Sequence, residues 1–258
     1  MIVAHRGASH EAPENTMPAF KLAWEQDADA IEGDFRLTKD GHIVCIHDAN
    51  TKRVSNMDVV VQTSTLAELR AVDVSLLHGE AFKDVTIPTI AEVFSTIPDE
   101  KIIYIEIKCG AEIIPPLLEA IKKSGLKDEQ IIFICFNAQV LHELKVKTPQ
   151  YKSYWLCSFY KTEEGEITPP LETVLETLAS IKADGIDSNV AIPESFVEAI
   201  KTSGYEWHVW TVDDLEVAKR IQTWGADSIT SNKPSYIKTN LDALKTIWTN
   251  ERMRLCLM

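Results

Sequence analysis

Long apolar runs, low-complexity tracts and nucleotide-binding glycine motifs are all missing from this sequence of 258 residues. No apolar segment approaches the roughly 18 residues that a membrane-spanning helix needs, and no Gly/Ser tract or block of like charges indicates a linker. The glycines are scattered singly, without the G-x-G-x-x-G or G-x-x-x-x-G-K-S/T spacing of nucleotide-binding loops. We therefore expect a soluble globular protein without redox or P-loop chemistry.

Cysteines are few, and their spacing forms no paired motif. They are Cys45, Cys109, Cys135, Cys157 and Cys256. This odd number without C-x-x-C spacing predicts reduced, partly buried thiols rather than disulfides. Met1 leads directly into an apolar segment and then His5 and Arg6, which is unlike a secretory signal. We therefore expect a cytoplasmic protein.

Acidic residues outnumber basic ones and give a formal net charge of −13 at pH 7. Nucleic acid and anionic membrane surfaces repel such a protein at long range, so neither is expected as a partner. An anionic small molecule would need local positive charge to hold it. With 45% hydrophobic residues, the chain can bury a large core, and its length suits two small domains or one α/β barrel.

Apolar, β-rich segments alternate with amphipathic helical patterns along the chain. Strands are predicted at residues 2–5, 28–35, 102–107, 131–136, 152–157, 185–188, 206–211 and 227–230. Helices are predicted at residues 18–26, 113–124, 138–147, 171–182, 195–202 and 213–224. Asn15 or Thr16 would cap the first helix and Asp213 the last. Such βα units favour a closed (β/α)₈ TIM barrel, in one domain of residues 1–258, over a doubly wound open sheet.

The segment from Asp29 to Asp48 contains a predicted hairpin. Lys39-Asp40-Gly41 supplies the turn, so residues 43–46 return antiparallel to the second strand and carry His47 beside residues 32–34. We assign this return to a hairpin arm rather than to a ninth barrel strand. The weakly patterned residues 50–88 contain one helical piece, 65–71, and are predicted to form an insertion over the C-terminal mouth of the barrel.

Charged and polar side chains gather at three predicted strand ends. They are His5, Arg6, Glu32, Asp34, Glu106 and Lys108. Active sites of such barrels lie at the C-terminal ends of the strands, and alternation places Glu32 and Asp34 on one face. A hairpin alone is more often a solvated surface. Similar groups at two other strand ends favour a site.

An oxygen-rich set of carboxylates without cysteine or closely spaced histidines suits Mg²⁺ or Ca²⁺ better than zinc. Two histidines, one on each side of a substrate, can act as general base and general acid. Arg6 and Lys108 would neutralise a phosphate. Together these groups predict metal-assisted cleavage of a phosphodiester.

Several motifs, in order along almost the whole chain, match one known family. They are HRGA with PENT at residues 5–16, IEGDFRLTKDGHIVCIHD at 31–48, IPT at 87–89, IEIK at 105–108, VWTVDD at 209–214, and GADSIT followed by KP near 225–234. The sequence resembles the glycerophosphodiester phosphodiesterases. The resemblance implies a barrel hydrolase that releases sn-glycerol 3-phosphate and an alcohol from glycerophosphodiesters.

The resemblance also implies a role for individual residues. His5 and His47 would be the catalytic histidines, and Arg6 and Lys108 the phosphate contacts. The metal ligands would be Glu32, Asp34 and Glu106. Glu14 and Asn15 would orient their neighbours, and Trp210 would form an aromatic wall against glycerol.

Two positions depart from the family pattern. Asn232 stands where the family frequently has the acid of a T-D-x-P pattern. An amide does not carry the charge of that acid, so the role of the acid in orienting a neighbouring residue is in doubt here. Gly33 stands where a larger residue is common, which could loosen the strand between two ligands. His208 shares a strand face with Trp210, so the sequence leaves open whether the His208 side chain points into the barrel.

The sequence leaves several alternatives open. The substrate could be another phosphodiester such as a lysophospholipid, and residues 50–88 would decide among these. A catalytically weak barrel that only binds glycerophosphodiesters is a second reading, although the five presumed essential residues are all present. The apolar tail, 241–258, would pack on the barrel or on a second subunit, so a monomer and a homodimer both fit.

Overall fold

Eight parallel strands close into a barrel in the computed structural model, which describes residues 1–243. The strands are β1 (Ile2–Ala4), β2 (Ala30–Leu37), β3 (Ile102–Ile107), β4 (Ile131–Cys135), β5 (Lys152–Cys157), β6 (Gly185–Asn189), β7 (Glu206–Trp210) and β8 (Ser228–Ser231). Each pairs with the next along the chain, and β1 pairs with both β8 and β2. This closure confirms the predicted (β/α)₈ TIM barrel.

Helices connect the strands on the outside of the barrel. They are α1 (Met17–Glu25), α2 (Leu66–Arg70), α3 (Ile90–Phe94), α4 (Ile114–Ser124), α5 (Ala138–Lys147), α6 (Leu171–Ile181), α7 (Glu194–Thr202) and α8 (Leu215–Thr223), and residues 234–243 are also helical. The predicted helices are all present, with their ends shifted by at most two residues. The short helix α3 was not predicted.

One predicted helix cap is wrong. Thr16 caps α1 as expected, but α8 is capped by Asp214 rather than by Asp213. The backbone N–H of Val212 still donates to β8, so Asp213 lies beside the end of that strand. Its two carboxylate oxygens accept from the backbone and side-chain N–H groups of Asn232 at 2.8 and 2.7 Å.

Buried side chains cover both faces of the barrel wall. Phe20, Phe133 and Trp207 lie between the strands and the outer helices, while Tyr104 and Tyr154 fill the barrel interior. Burial of a parallel sheet on both faces explains why its strands read as almost continuous apolar runs.

The hairpin after β2 forms as predicted. Its return arm, Ile43–Cys45, runs antiparallel to β2, and continuation of this register places His47 opposite Gly33. Residues 50–88 include α2, and their apolar side chains form a small separate cluster with the return arm. The return arm therefore belongs to the hairpin and not to the barrel wall.

Part of the sequence prediction falls beyond the described residues. Four of the five cysteines lie within residues 1–243, and all four are free. Cys256, the apolar tail after residue 243 and the end of the proposed domain 1–258 lie outside that range. Within residues 1–243, no helix is both long enough and apolar enough to cross a membrane.

Candidate active site

The carboxyl ends of the strands surround a cavity of about 230 Å³. Its lining consists of His5, Arg6, Glu32, His47, Glu106, Lys108, Ile134, Phe136, Leu156, Asp187, Trp210, Thr211 and Thr230. The volume lies below the roughly 300–1,000 Å³ of pockets for drug-sized ligands, which favours a small ligand. The structure thus brings together most of the side chains that we selected from the sequence, while their chemical roles stay predictions.

Three buried carboxylates lie together at the cavity, where Glu32 and Glu106 line the wall and Asp34 is fully buried beside them. Glu32 and Asp34 lie on β2, and Asp34 is paired in register with Glu106 on β3. Each offers one oxygen such that these oxygens all lie within 4.8 Å of one another. Glu32 Oε1 and Asp34 Oδ1 are buried without a hydrogen-bond partner among the described residues. Such oxygens are suitable ligands for a hard divalent cation.

Burial and mutual repulsion raise the pKa of two of these carboxylates, Glu32 and Glu106, whereas Arg6 and Lys108 keep the pKa of Asp34 low against its burial. Burial and the neighbouring charge of Asp34 raise the pKa of Glu106 to about 7. Burial, Asp34 and Glu106 together raise the pKa of Glu32 well above its usual range. A bound cation would relieve this repulsion, so the donor set fits the predicted metal.

Asn15 holds Asp34 in place by two contacts. Its side-chain N–H donates to Asp34 Oδ2 at 2.7 Å, and its amide oxygen accepts from the backbone N–H of Asp34 at 3.1 Å. The backbone of Asn15 is left-handed, with φ of 57°, which asparagine tolerates better than most residues. Asn15 therefore lies where the sequence placed it, against a candidate metal ligand.

Two cations border the carboxylates. Arg6 Nε lies 3.2 Å from Asp34 Oδ2, and Arg6 also donates to Glu14 Oε1 at 2.9 Å. Lys108 Nζ donates to Glu106 Oε1 at 2.7 Å and lies 3.6 Å from Asp34 Oδ1. Both cations line the cavity, so an anion there would meet local positive charge despite the acidic chain.

His5 is oriented by a relay that ends in a carboxylate. Asn232 donates from its side-chain nitrogen to Asp213 Oδ2 at 2.7 Å, which turns its amide oxygen towards His5 Nδ1, also 2.7 Å away. Nε2 of His5 then faces Glu32 Oε2 at 4.0 Å. The amide at position 232 thus still orients the histidine, with Asp213 supplying the charge behind it.

The environment of His5 favours the neutral imidazole. Burial, followed by the positive charge of Arg6, lowers its pKa to about 4. With Nδ1 protonated towards Asn232, the neutral ring carries its lone pair on Nε2. This nitrogen can accept a proton in the cavity.

His47 is held from the insertion side of the cavity. Its Nδ1 lies 2.7 Å from Asp48 Oδ1, and Asp48 accepts from Arg53 at 2.7 Å. Arg53 also donates to both carboxylate oxygens of Glu14, at 2.6 and 2.7 Å. Burial lowers the pKa of His47, opposed by the negative charge of Asp34. The insertion therefore closes a chain of ion pairs around the second histidine.

Sequence reasoning missed several contributors to this site. Arg36 donates to the backbone oxygens of His47 and Lys108, which fixes two candidate residues at once. Phe136 packs its ring against Trp210, with centroids 5.7 Å apart. The position of Arg36 on the same strand face as Glu32 was a sequence signal for a role in the site. No sequence pattern indicated Phe136.

The second departure from the family pattern leaves the strand intact. Gly33 pairs with Ile105 within the continuous ladder of β2 and β3. A Cβ at this position would lie 3.1 Å from Cys45 Sγ and 3.3 Å from Phe20 Cζ, so neighbouring side chains already fill the space. The absence of a side chain is compensated by close packing of the return arm and α1.

Comparison with known proteins shows the family of the chain. The model of the glycerophosphoryl diester phosphodiesterase family matches residues 5–236. The chain belongs to this family. The match confirms the resemblance and the phosphodiesterase class predicted from the motifs.

Individual members of the glycerophosphodiester phosphodiesterases resemble the chain over nearly its full length. The glycerophosphodiester phosphodiesterase of Caldanaerobacter subterraneus is 36% identical over 239 residues, covering 91% of this chain and 94% of that protein. A phosphodiesterase of Oleispira antarctica, solved in complex with the product sn-glycerol-3-phosphate, has a TM-score of 0.85 at 27% identity and covers 94% of this chain and 96% of that one. The enzyme of Thermotoga maritima has a TM-score of 0.74 at 30% identity, with 92% and 96% covered.

Proposed function

We propose that the protein hydrolyses glycerophosphodiesters to sn-glycerol 3-phosphate and an alcohol, with a divalent cation as cofactor. The observation that carries this proposal is the cluster of Glu32, Asp34 and Glu106 with His5 and His47 on the same cavity. The product bound by the Oleispira antarctica relative supports this substrate class.

Glu32, Asp34 and Glu106 would hold the cation, which we propose is Mg²⁺ or Ca²⁺. Oxygen-only ligands and two unpartnered carboxylate oxygens support this assignment. When bound, such an ion supplies Lewis-acid stabilisation of charge on the phosphoryl oxygens.

His5 and His47 would divide the proton transfers. The low pKa of His5 keeps Nε2 unprotonated at neutral pH, so it can take the proton from the attacking oxygen as the oxygen–phosphorus bond forms. Burial lowers the pKa of His47, and the hydrogen bond with Asp48 at Nδ1 opposes this shift in favour of the imidazolium. A protonated His47 can give its proton to the departing alcohol oxygen. General acid and general base each contribute about 10² to 10⁴ in rate.

Arg6 and Lys108 would contact the phosphate oxygens, and Trp210 would form a wall for the glycerol carbons. Lys108 donates to Glu106, so its positive charge lies next to the carboxylate cluster, where the phosphate would bind. The indole nitrogen of Trp210 donates to the backbone oxygen of Asp187 at 3.1 Å. That bond fixes the ring plane at the cavity edge.

The test is a substrate panel with and without chelation. Glycerophosphocholine and glycerophosphoethanolamine should yield glycerol 3-phosphate when Mg²⁺ or Ca²⁺ is supplied, and EDTA should abolish the product. Readdition of the cation should restore it. Full activity in EDTA would contradict the metal mechanism, and turnover of lysophosphatidylcholine alone would replace the substrate class with the alternative predicted from the sequence.

We further propose a cytoplasmic protein of glycerophospholipid breakdown that works as a monomer or a homodimer. The four free cysteines within residues 1–243 suit a reducing compartment. Fractionation of cells and the mass of the purified protein in solution would test these two statements separately.

A further inference from the structure

Asp187 is a buried carboxyl group on the cavity wall that the proposed mechanism does not use. It lies on β6, which is four strands away from β2 in an eight-stranded barrel and therefore on the opposite wall. Its neighbours in register are Leu156 and His208, both on the inward face. Asp187 lines the cavity and is only 1% exposed.

This carboxyl group lacks the partners that buried acids need. Asp187 Oδ1 is buried with no hydrogen bond from any residue in the range 1–243. An unpaired buried polar group costs free energy in the folded state. The charges of Arg6 and Lys108 act on the three metal-ligand candidates, whereas no residue in the range 1–243 forms an ion pair with Asp187.

Apolar side chains line the cavity near Asp187. Ile134, Leu156 and Trp210 line the same cavity, and the bond from Trp210 to the backbone of Asp187 brings the indole against this wall. Burial raises the pKa of Asp187 well above its usual range. A carboxyl group accepts a hydrogen bond in either protonation state, and the protonated form also donates one.

A glycerophosphodiester can supply the missing partner. Its phosphate would lie between Arg6 and Lys108 on the β1 to β3 side, and its alcohol varies in size and needs the open mouth. The glycerol group is common to all such substrates, so it suits the closed side of the cavity. Its terminal hydroxyl is the polar group farthest from phosphorus along the carbon chain.

We propose that Asp187 is a specificity-determining residue that hydrogen-bonds the terminal hydroxyl of the glycerol group across the cavity from the carboxylate cluster. This inference rests on the proposed function and adds to it a recognition group for glycerol. The apolar walls would contact the glycerol carbons, and the carboxyl group would select a polyol over a plain alkyl chain.

The test compares glycerophosphocholine with 2-hydroxypropyl phosphocholine, which lacks only the terminal hydroxyl. The measured quantity is the ratio of kcat/KM for the two diesters. We expect wild type to prefer glycerophosphocholine by about tenfold, which corresponds to one hydrogen bond to a charged or strongly polar group. Asp187→Leu should reduce this preference to less than about twofold, mainly through KM for glycerophosphocholine.

Three further proteins separate recognition from folding. Asp187→Asn keeps the size and a hydrogen-bonding group, so most of the preference should remain. Ser188→Ala removes the acceptor of the Trp207 indole N–H, 2.9 Å away, in the next residue of the strand, and should leave the preference unchanged. Asp187→Ala repeats the removal with a smaller side chain. Thermal melting of each variant checks that it is folded.

The outcomes distinguish failure of the proposed role of Asp187 from failure of the proposed function. If wild type fails to turn over glycerophosphocholine with any divalent cation, the proposed function fails and this inference fails with it. If wild type is active and the folded Asp187→Leu and Asp187→Ala proteins keep the full preference, only the inference is overturned. An equal loss on both diesters would also overturn it, because that result indicates a structural role.

Discussion

Two polar layers lie one above the other inside the barrel, and they differ in how their groups are paired. In the lower layer, Tyr154 donates to Glu206 at 2.5 Å, and His208 lies 2.7 Å from Ser228 Oγ. The hydroxyl of Tyr104 is 3.3 Å from the same histidine. In the upper layer, at the mouth, one carboxylate oxygen each of Glu32, Asp34 and Asp187 has no hydrogen-bond partner within residues 1–243.

The difference separates structural polarity from candidate function. Polar groups in the lower layer contact one another, and His208 Nε2 lies 3.6 Å from Glu206 Oε2, so this layer contributes to stability without an external ligand. The upper layer holds like charges close together, which destabilises the protein alone and favours binding of a cation. Burial by itself therefore does not mark a candidate site, whereas buried carboxylates clustered within 4.8 Å of one another do.

The largest expected effect comes from removing groups of the upper layer that differ in role. His47→Ala should lower kcat by about 10² to 10⁴ through the lost proton transfer while metal binding persists. Asp34→Ala should lose both turnover and metal binding. Steady-state kinetics and calorimetric titration with Mg²⁺ measure the two properties. Retention of most of the rate in His47→Ala would contradict the proton-transfer assignment.

A second experiment measures the repulsion in the upper layer directly. The pKa of Glu106 is raised to about 7, so the folded metal-free protein retains a proton that the unfolded chain loses above about pH 4.5. Stability attributable to Glu106 therefore falls as pH rises through this interval, and the penalty is complete above pH 7. The groups facing it are Glu32, Asp34 and Lys108.

Glu106→Gln should consequently stabilise the metal-free protein at pH 8, by on the order of 3 kcal/mol in the free energy of unfolding. At pH 5 the same substitution should be close to neutral. Denaturant unfolding in EDTA at both pH values provides the measurement. If the difference in free energy of unfolding between the variant and wild type is the same at pH 5 and pH 8, the carboxylates do not repel one another.

The relay behind His5 predicts a smaller effect. Asp213→Asn removes the charge at its end and should lower kcat by about tenfold, with little change in KM. Asn232→Asp places a second carboxylate against Asp213 and should also impair turnover. The double variant Asp213→Asn with Asn232→Asp restores one acid and one amide, so it should be more active than either single variant. Additive losses would rule out the relay.

The smallest effect on turnover is expected in the lower layer. His208→Gln disrupts contacts with Tyr104 and Ser228, and should reduce the free energy of unfolding by about 1 to 3 kcal/mol. Turnover of the folded protein should stay within about twofold of wild type. A loss of kcat comparable to that of His47→Ala would erase the distinction between the layers.

Much of the architecture could be predicted because its signals are local. Alternation along β2 placed Glu32 and Asp34 on one face, and the turn at residues 39–41 set the antiparallel register that places His47 beside them. Parallel strands with helical connections implied a barrel whose strand ends meet. Helix ends were less certain, as Asp213 and Asp214 illustrate, because adjacent acids can each serve as a cap.

The sequence by itself determined the barrel, the hairpin and the identity of the candidate catalytic groups, since periodicity and motif order depend on near neighbours. Only the tertiary structure decided which groups are paired. His5 meets Asn232 across 227 residues, and Arg53 meets Glu14 across 39. The carboxyl oxygen Oδ1 of Asp187 has no such partner within residues 1–243. Barrel closure creates or withholds these long-range contacts, and no local pattern encodes them.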